Sequence, residues 1–222
     1  MLTPRKKITK KELKKDPLVT YIFLVQDFFA RHKKNIFYWT VGIIAIIGLS
    51  VVVYNSRKSG EAAALTRVGQ TELLYTRGQY KEATAQFLQI INEFSGTNAG
   101  GLATFYLANC YYYSSNFEEA KKYYQQYIDD YSSDPDITAS SYAGIAACME
   151  NNKQYDEAVK QYTLAIQKSP KGYAVPQYYL DIARCYQLSG KIEDARSSYK
   201  QVIEKFSDSP FRERAEELIA QL

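Results

Sequence analysis

Three cysteines are the residues of this sequence whose type and spacing come closest to a chemical site. Cys110, Cys148 and Cys185 follow one another at intervals of 38 and 37 residues. Thiols could form a redox pair or bind a metal ion at such positions. If each cysteine holds the same place in a repeated unit, their backbones lie on the order of 10 Å apart, beyond the reach of a disulfide. We therefore predict three unbonded, buried thiols, with redox or metal chemistry as the alternative.

A cluster of aspartates is the second candidate, because carboxylate oxygens are the ligands that Ca²⁺ prefers. The cluster lacks the alternating oxygen ligands and the central glycine of an EF-hand loop. Helix capping and solvation are therefore the preferred interpretation. Its members are Asp129, Asp130, Asp134 and Asp136.

Histidine-based catalysis is not predicted for residues 59–222. The single histidine of the chain, His32, lies among lysines near the N-terminus, so a Ser-His-Asp or Cys-His system has no base in the longer part of the chain. The glycine-rich stretch 96–101 is not followed by Lys-Ser or Lys-Thr, which argues against a phosphate-binding loop. We predict neither an enzyme nor a cofactor site.

Charge divides the chain into two parts of opposite sign. Residues 1–35 contain ten Lys and Arg against three Asp and Glu, whereas residues 59–222 contain 16 basic and 21 acidic residues, a net charge of −5. The two parts are therefore interpreted separately.

Between them, residues 36–54 form a run of 19 without an acidic or basic side chain. About 20 apolar residues in a helix cross a bilayer, so we predict a transmembrane helix, with aromatic residues at both ends. A cleavable signal peptide is the rival interpretation, but its apolar core would be shorter. The basic excess before the run predicts a cytoplasmic N-terminus and a periplasmic or otherwise extracytoplasmic C-terminal part. This corresponds to the inner membrane in a bacterial cell.

The basic part, residues 1–35, is predicted to be a cytoplasmic tail. Asp16 and Pro17 read as the start of a helix over residues 17–31, with one apolar face suited to lying on the inner leaflet. Nucleic-acid binding is the alternative use of a basic segment. Because a tail beside anionic lipid already explains the charge, no nucleic-acid partner is predicted.

A four-residue motif recurs after residue 59. Each copy consists of an aromatic or aliphatic residue, a polar residue, an acid and alanine, and an aromatic residue follows four positions later. The copies begin at Tyr80, Phe117, Tyr155 and Ile192, and the later aromatic residues are Phe87, Tyr124, Tyr162 and Tyr199. Intervals of 37, 38 and 37 residues are typical of a solenoid of stacked units.

Within each unit the apolar spacing is helical in two stretches joined by a short polar turn. The sequence therefore predicts an all-α fold, in which a single N-terminal transmembrane helix precedes an α-solenoid of four helical hairpins and a capping helix. The predicted units are residues 61–95, 101–132, 137–170 and 176–207, with the cap at 210–222.

These residues resemble the tetratricopeptide repeat. Small residues lie near the middle of the first helix, and an aromatic residue with an acid-alanine pair opens the second. Pro170 matches the terminal proline of the repeat. The combination with a basic tail and one membrane span also resembles the bacterial ancillary subunits of the Sec translocon. That resemblance implies Sec subunits and extended secreted chains as partners.

The resemblance further implies a concave groove lined by the first helix of each hairpin. Mapping the inward positions onto this sequence gives eight candidate contact residues: Phe105, Asn109, Tyr112, Tyr113, Glu150, Asn151, Arg184 and Gln187. Tyrosine, amide and aliphatic groups suit an extended segment of mixed polarity. The alternative is that individual tyrosines only pack between repeats.

Two functions remain open at this point. One is a membrane-anchored adaptor or chaperone-like factor at the secretion translocon. The other is a structural scaffold subunit of a different membrane complex of the cell envelope, with its groove permanently filled by one partner.

Overall fold

The computed structural model describes the backbone of residues 17–222 and the side chains of residues 20–51 and 60–222. The lysine-rich residues 1–16, with the predicted cap Asp16, lie outside the described residues, and so does the side chain of Tyr54. Every regular element of the described part is an α-helix. The elements are α1 (Pro17–Thr76), α2 (Tyr80–Glu93), α3 (Asn98–Tyr113), α4 (Phe117–Tyr131), α5 (Pro135–Asn151), α6 (Tyr155–Lys168), α7 (Val175–Leu188), α8 (Ile192–Lys205) and α9 (Phe211–Ile219).

The chain divides into two compact units, Met1–Ser56 and Arg57–Leu222. In the first unit, Thr20–Val51 is a helical stretch of 32 residues with a mean hydropathy of 1.5 and no part of its apolar window buried. By length and composition it could cross a membrane, and a signal sequence near an N-terminus meets the same criteria.

The sequence suggested separate helices over residues 17–31 and 36–54, but the structure has one helical element over both. Local contacts explain why the helix does not stop between them. Arg31 forms an ion pair with Asp27 one turn earlier, and the His32 ring stacks on Phe28 with ring centroids 4.6 Å apart. Residues 32–35 contain no proline or glycine that would end a helix.

The second unit is the predicted solenoid, and the fold prediction is confirmed. Hairpins α3–α4, α5–α6 and α7–α8 follow a first hairpin made by the end of α1 and α2, and α9 packs on α8. The motif alanines Ala83, Ala120, Ala158 and Ala195 are all fully buried. They allow the two helices of each hairpin to approach closely, while the aromatic residue one turn later fills the space between repeats.

Each hairpin turn has the same hydrogen-bond pattern. In the first turn, the Gly78 N–H donates to the carbonyl of Tyr75 and the Gln79 N–H donates to the carbonyl of Leu74, both at 2.9 Å. This is the Schellman pattern, which requires a left-handed residue after the helix. The residues in that conformation are Gly78, Ser115, Lys153 and Gly190, with φ of 76°, 61°, 60° and 80°. The two outer turns therefore use glycine, and the two central turns do not.

Candidate partner-binding groove

A groove of about 270 Å³ lies where α3, α5 and α7 run side by side. Its floor is one face of α5, formed by Ser140, Ala143, Gly144 and Ala147 at spacings of three and four residues. Side chains from α3 and α7, and aromatic rings from α4 and α6, complete the lining. These lining residues are Phe105, Asn109, Tyr112, Tyr113, Tyr124, Tyr162, Tyr178 and Asp181.

The depth of the groove depends on the missing side chain at Gly144. A Cβ atom there would lie 2.3 Å from the Cζ atom of Tyr124. The Tyr124 ring therefore packs directly against the α5 backbone, and its hydroxyl donates a hydrogen bond to Asn109 Oδ1 at 2.5 Å. Asn109 is thus held by α4 within its own hairpin. An alanine at 144 could be accommodated only if the buried ring moved.

The α3 residues predicted for the groove all line it. Phe105 is half-buried and packs edge-on against the Tyr127 ring, with centroids 6.1 Å apart. Tyr112 is also half-buried and packs on Phe117 at 5.6 Å. Tyr113 is 54% exposed and stacks on Tyr80 of the preceding hairpin at 5.3 Å. Tyr113 is therefore the aromatic side chain of this set with the largest free surface.

Two of the predicted residues on α5 and α7 bind each other. Arg184 forms a two-pronged ion pair with Glu150, through Nε to Oε1 at 2.5 Å and Nη2 to Oε2 at 2.8 Å. Tyr162 also donates its hydroxyl to Glu150 Oε2 at 3.2 Å. These side chains link the third hairpin to the fourth. Neither Glu150 nor Arg184 is among the residues that line the groove.

Asn151 and Gln187, the two predicted amides, also have intramolecular partners. Asn151 Nδ2 donates to the hydroxyl of Tyr112 at 3.3 Å, which links the second and third hairpins. Gln187 Oε1 accepts from the Tyr199 hydroxyl at 3.4 Å. Both amides lie outside the lining of the groove.

Asp181 is the charged residue of the groove that the sequence did not indicate. It is 8% exposed, accepts from Gln177 Nε2 at 2.9 Å and pairs with Arg184 Nη1 at 2.7 Å. Burial raises the pKa of its carboxyl above the ordinary value, and the nearby Arg184 charge opposes that rise. The available signal was its position three residues before Arg184 on the same helix.

Leu180, the residue before Asp181, is buried in the core between α7, α8 and α9 and does not line the groove. Asp181 occupies the groove in its place.

The three cysteines are fully buried free thiols, as expected from their place in the repeat. Burial raises the pKa of each to about 12, so the reactive thiolate is strongly disfavoured. Their recurrence therefore reflects packing at one position of the first helix of each hairpin.

One member of the aspartate cluster, Asp134, caps helix α5. Asp134 Oδ1 accepts from the N–H groups of Asp136 and Ile137 at 2.8 and 3.2 Å, with Pro135 at the first position of α5. Asp129 accepts from Gln125 Nε2 at 2.9 Å within α4. Within the described part of the chain, no group of three or more His, Cys, Asp and Glu side chains has the arrangement of a metal site.

Comparison with known proteins agrees with this fold. A candidate kinesin light chain of Podosopora anserina with nearly identical TPR-like repeats has a TM-score of 0.61 at 17% identity, covering 72% of this chain and 85% of that chain. The type III secretion translocator chaperone SycD of Yersinia enterocolitica has a TM-score of 0.47 at 21% identity, covering 60% of this chain and 96% of that chain. At 17% identity, the similarity to the first of these proteins concerns the fold alone. No curated protein matches the sequence.

The sequence itself matches a family over most of its length. Residues 26–219 match the tetratricopeptide repeat-like domain, and no catalytic family is indicated. Domains of this type bind proteins or peptides, so the chain carries a protein interaction module. The chain belongs to the tetratricopeptide repeat-like domain family.

Proposed function

We propose that this protein is a membrane-anchored interaction module that holds an extended segment of a partner protein in the groove over α5. The observation that carries the proposal is the groove itself, in which Phe105, Tyr112 and Tyr113 surround a floor of small residues. Aromatic rings supply large contact area with few side-chain rotors to immobilise, which favours such residues as binding anchors.

The anchor in this proposal is the helix over residues 36–54. Its support is the apolar stretch Thr20–Val51, whose most apolar window contains no buried residue, together with the basic excess before it. A cytoplasmic N-terminus and a repeat domain outside the cytoplasm follow from that excess. Protease added to spheroplasts should digest residues 59–222 and spare the tail. Digestion of the tail in intact spheroplasts would reverse the orientation.

The partner in this proposal is the secretion translocon, with an adaptor or chaperone-like role toward chains that cross the membrane. The support is the resemblance of the tail, span and repeat arrangement to ancillary translocon subunits. Sec subunits together with diverse secreted proteins should co-purify with the chain in mild detergent. One stoichiometric partner without Sec subunits would favour the scaffold role instead.

The groove is tested most cleanly at Tyr113. Because this side chain is half exposed, Tyr113→Ala should weaken partner capture about tenfold, or about 1.4 kcal/mol, with little change in melting temperature. Tyr173→Ala is the matched control, since Tyr173 is 81% exposed and does not line the groove. A photo-crosslinking residue at 113 should trap the partner and one at 173 should not. The reverse pattern would move the interface away from the groove.

A further inference from the structure

The groove combines a recess, aromatic walls and a buried carboxylate, and together these features define the chemistry of one partner side chain. We propose that the partner segment places a basic side chain, lysine or arginine, in this recess, with its cationic group beside Asp181. The inference rests on the proposed function, that the groove holds a partner segment, and it specifies what that segment must contain.

Shape is the first argument. The same face of the neighbouring first helices carries larger side chains, because Asn109 and Arg184 occupy the positions that correspond to Ala147. The four small residues of α5 therefore leave a local recess between the larger side chains of α3 and α7. A recess of this kind accepts one long side chain rather than a flat stretch of backbone.

The walls are the second argument. Phe105, Tyr112, Tyr113 and Tyr178 line the recess together with the buried rings of Tyr124 and Tyr162. Lysine and arginine bind favourably over aromatic faces, and their aliphatic stems pack on the same apolar surface. An acidic side chain would meet the negative faces of these rings and gain nothing from them.

Charge is the third argument. Helix α3 contains no Asp, Glu, Lys or Arg, whereas α5 and α7 together contain Asp136, Glu150 and Asp181 against the single cation Arg184. Arg184 pairs with both Glu150 and Asp181, so this group of two carboxylates and one guanidinium has one negative charge in excess when both carboxylates are ionised. The carboxyl of Asp181 is also held by burial with a raised pKa. A second cation beside it would offset that unfavourable burial.

The net charge of the repeat domain is negative, as is the charge beside the recess. Residues 59–222 carry a net charge of −5, which attracts a basic segment over distances up to the Debye length. A terminal carboxylate is a poor occupant by comparison, because no lysine or arginine is among the residues that line the recess.

The experiment measures binding of three fluorescein-labelled peptides to the full chain in lipid nanodiscs by fluorescence anisotropy. The peptides are identical nine-residue segments of Ala, Ser and Gly that differ only at the central residue, which is lysine, norleucine or glutamate. The lysine peptide should bind at least fivefold more tightly than the norleucine peptide, and the glutamate peptide should bind most weakly. The advantage of lysine should shrink as salt is added.

Two variants locate the effect. Asp181→Asn keeps the size and the hydrogen-bonding groups of the side chain, and it should reduce the lysine peptide to the affinity of the norleucine peptide. Ala147→Leu fills the recess without touching a charge and should weaken all three peptides. It should fold normally, because Asn109 and Arg184 show that the same repeat position accepts larger side chains. Asp156→Asn is the control, since Asp156 pairs with Lys191 on the surface and does not line the groove.

The outcomes separate this inference from the function on which it rests. If the three peptides bind equally and Ala147→Leu abolishes binding, the groove remains the binding site and the preference for a cation is wrong. If the lysine preference survives both Asp181→Asn and Ala147→Leu, the cation binds elsewhere and the inference is wrong. Absence of binding by all three peptides also overturns it, whereas the proposed function is decided separately by crosslinking at Tyr113.

Discussion

Helices α3 and α7 occupy equivalent places in the second and fourth hairpins, yet they join the adjacent hairpins by different physical means. The positions held by Tyr106, Asn109 and Tyr112 on α3 are held by Asp181, Arg184 and Gln187 on α7. On α3 these positions produce a stacked ring pair, single hydrogen bonds between amides and tyrosine hydroxyls, and one hydrogen bond from the Tyr106 hydroxyl to Glu72. On α7, Asp181 and Arg184 belong to a network of ion pairs with Glu150, and Gln187 accepts one hydrogen bond from Tyr199.

The comparison teaches that the solenoid backbone does not dictate the chemistry of its concave face. Apolar contacts between rings lose little when pH or salt changes, whereas ion pairs respond to both. We therefore expect the stability contributed by the ring contacts of the second hairpin to change little with pH and salt. The stability contributed by the ion pairs between the third and fourth hairpins should depend on both.

The largest effect is expected from Tyr124→Ala. The side chain is 3% exposed, its ring packs on the α5 backbone at Gly144, and its hydroxyl is bonded to Asn109. Truncation should lower the free energy of unfolding by about 3 kcal/mol or more, measured by urea unfolding of the full chain in detergent. Tyr173→Ala is the control for an exposed tyrosine. Equal losses of stability for Tyr124→Ala and Tyr173→Ala would show that aromatic packing does not specifically stabilise the second hairpin.

Arg184→Ala should come next, with a loss of about 2 kcal/mol at neutral pH, because two mostly buried carboxylates lose their cation. The pKa of Asp181 is already raised by burial, and Arg184 lowers it, so removal of Arg184 should raise it further. A carboxyl with a raised pKa in the folded state binds protons more tightly when folded. Its stabilising effect is therefore present in acid and lost as pH rises.

The deficit of Arg184→Ala should accordingly be largest at pH 7 and smaller near pH 4. Lys191→Ala is the matched control, because Lys191 and Asp156 form an exposed ion pair between the same two hairpins. It should show neither a measurable loss nor this pH dependence. A pH-independent deficit for Arg184→Ala would mean that the side chain acts by packing and not by charge.

The cysteines test a position at which the first helices of the hairpins should contribute equally to stability. Cys110, Cys148 and Cys185 are fully buried at one equivalent position, so replacement of each by alanine should cost a similar amount, about 1 kcal/mol or less. Thermal unfolding of the three single variants measures this. A much larger loss at one position, or a native disulfide detected by mass spectrometry, would show that the positions are not equivalent.

The smallest effect is expected from Tyr112→Phe, which removes only the hydroxyl that accepts from Asn151. The loss should be about 0.5 kcal/mol, because a partly exposed hydrogen bond is exchanged for water. Asn151→Ala should lose a similar amount, and the double variant should lose no more than either single one. Additive losses in this cycle would show that the two side chains act independently.

The repeated hairpins could be predicted because their signal is local. A motif alanine followed one turn later by an aromatic residue indicates helix packing without knowledge of the neighbouring repeat, and all four motif alanines are indeed buried. The α3 side of the groove was also predictable, since the inward positions implied by the resemblance to the repeat include Phe105, Asn109 and Tyr113, which all line it.

The rest of the groove depends on distances between repeats, which a single sequence does not contain. Glu150 and Arg184 were identified as inward residues, but their ion pair joins residues that are 34 positions apart. Asp181 was missed because its repeat position holds tyrosine in one unit and glycine in another. The first helix was divided in two because the polar residues 32–35, which include Lys33 and Lys34, separate two apolar patterns, although they contain no proline or glycine that would end a helix.

The hairpin turns have a practical consequence for biochemical work. Ser115 and Lys153 adopt the left-handed conformation at turns where the outer hairpins have Gly78 and Gly190. A residue with a Cβ atom in that conformation costs about 1 kcal/mol relative to glycine. The outer hairpins thus show which substitutions to make: Ser115→Gly and Lys153→Gly together should raise the free energy of unfolding. All of the groove-lining side chains remain unchanged in this double variant.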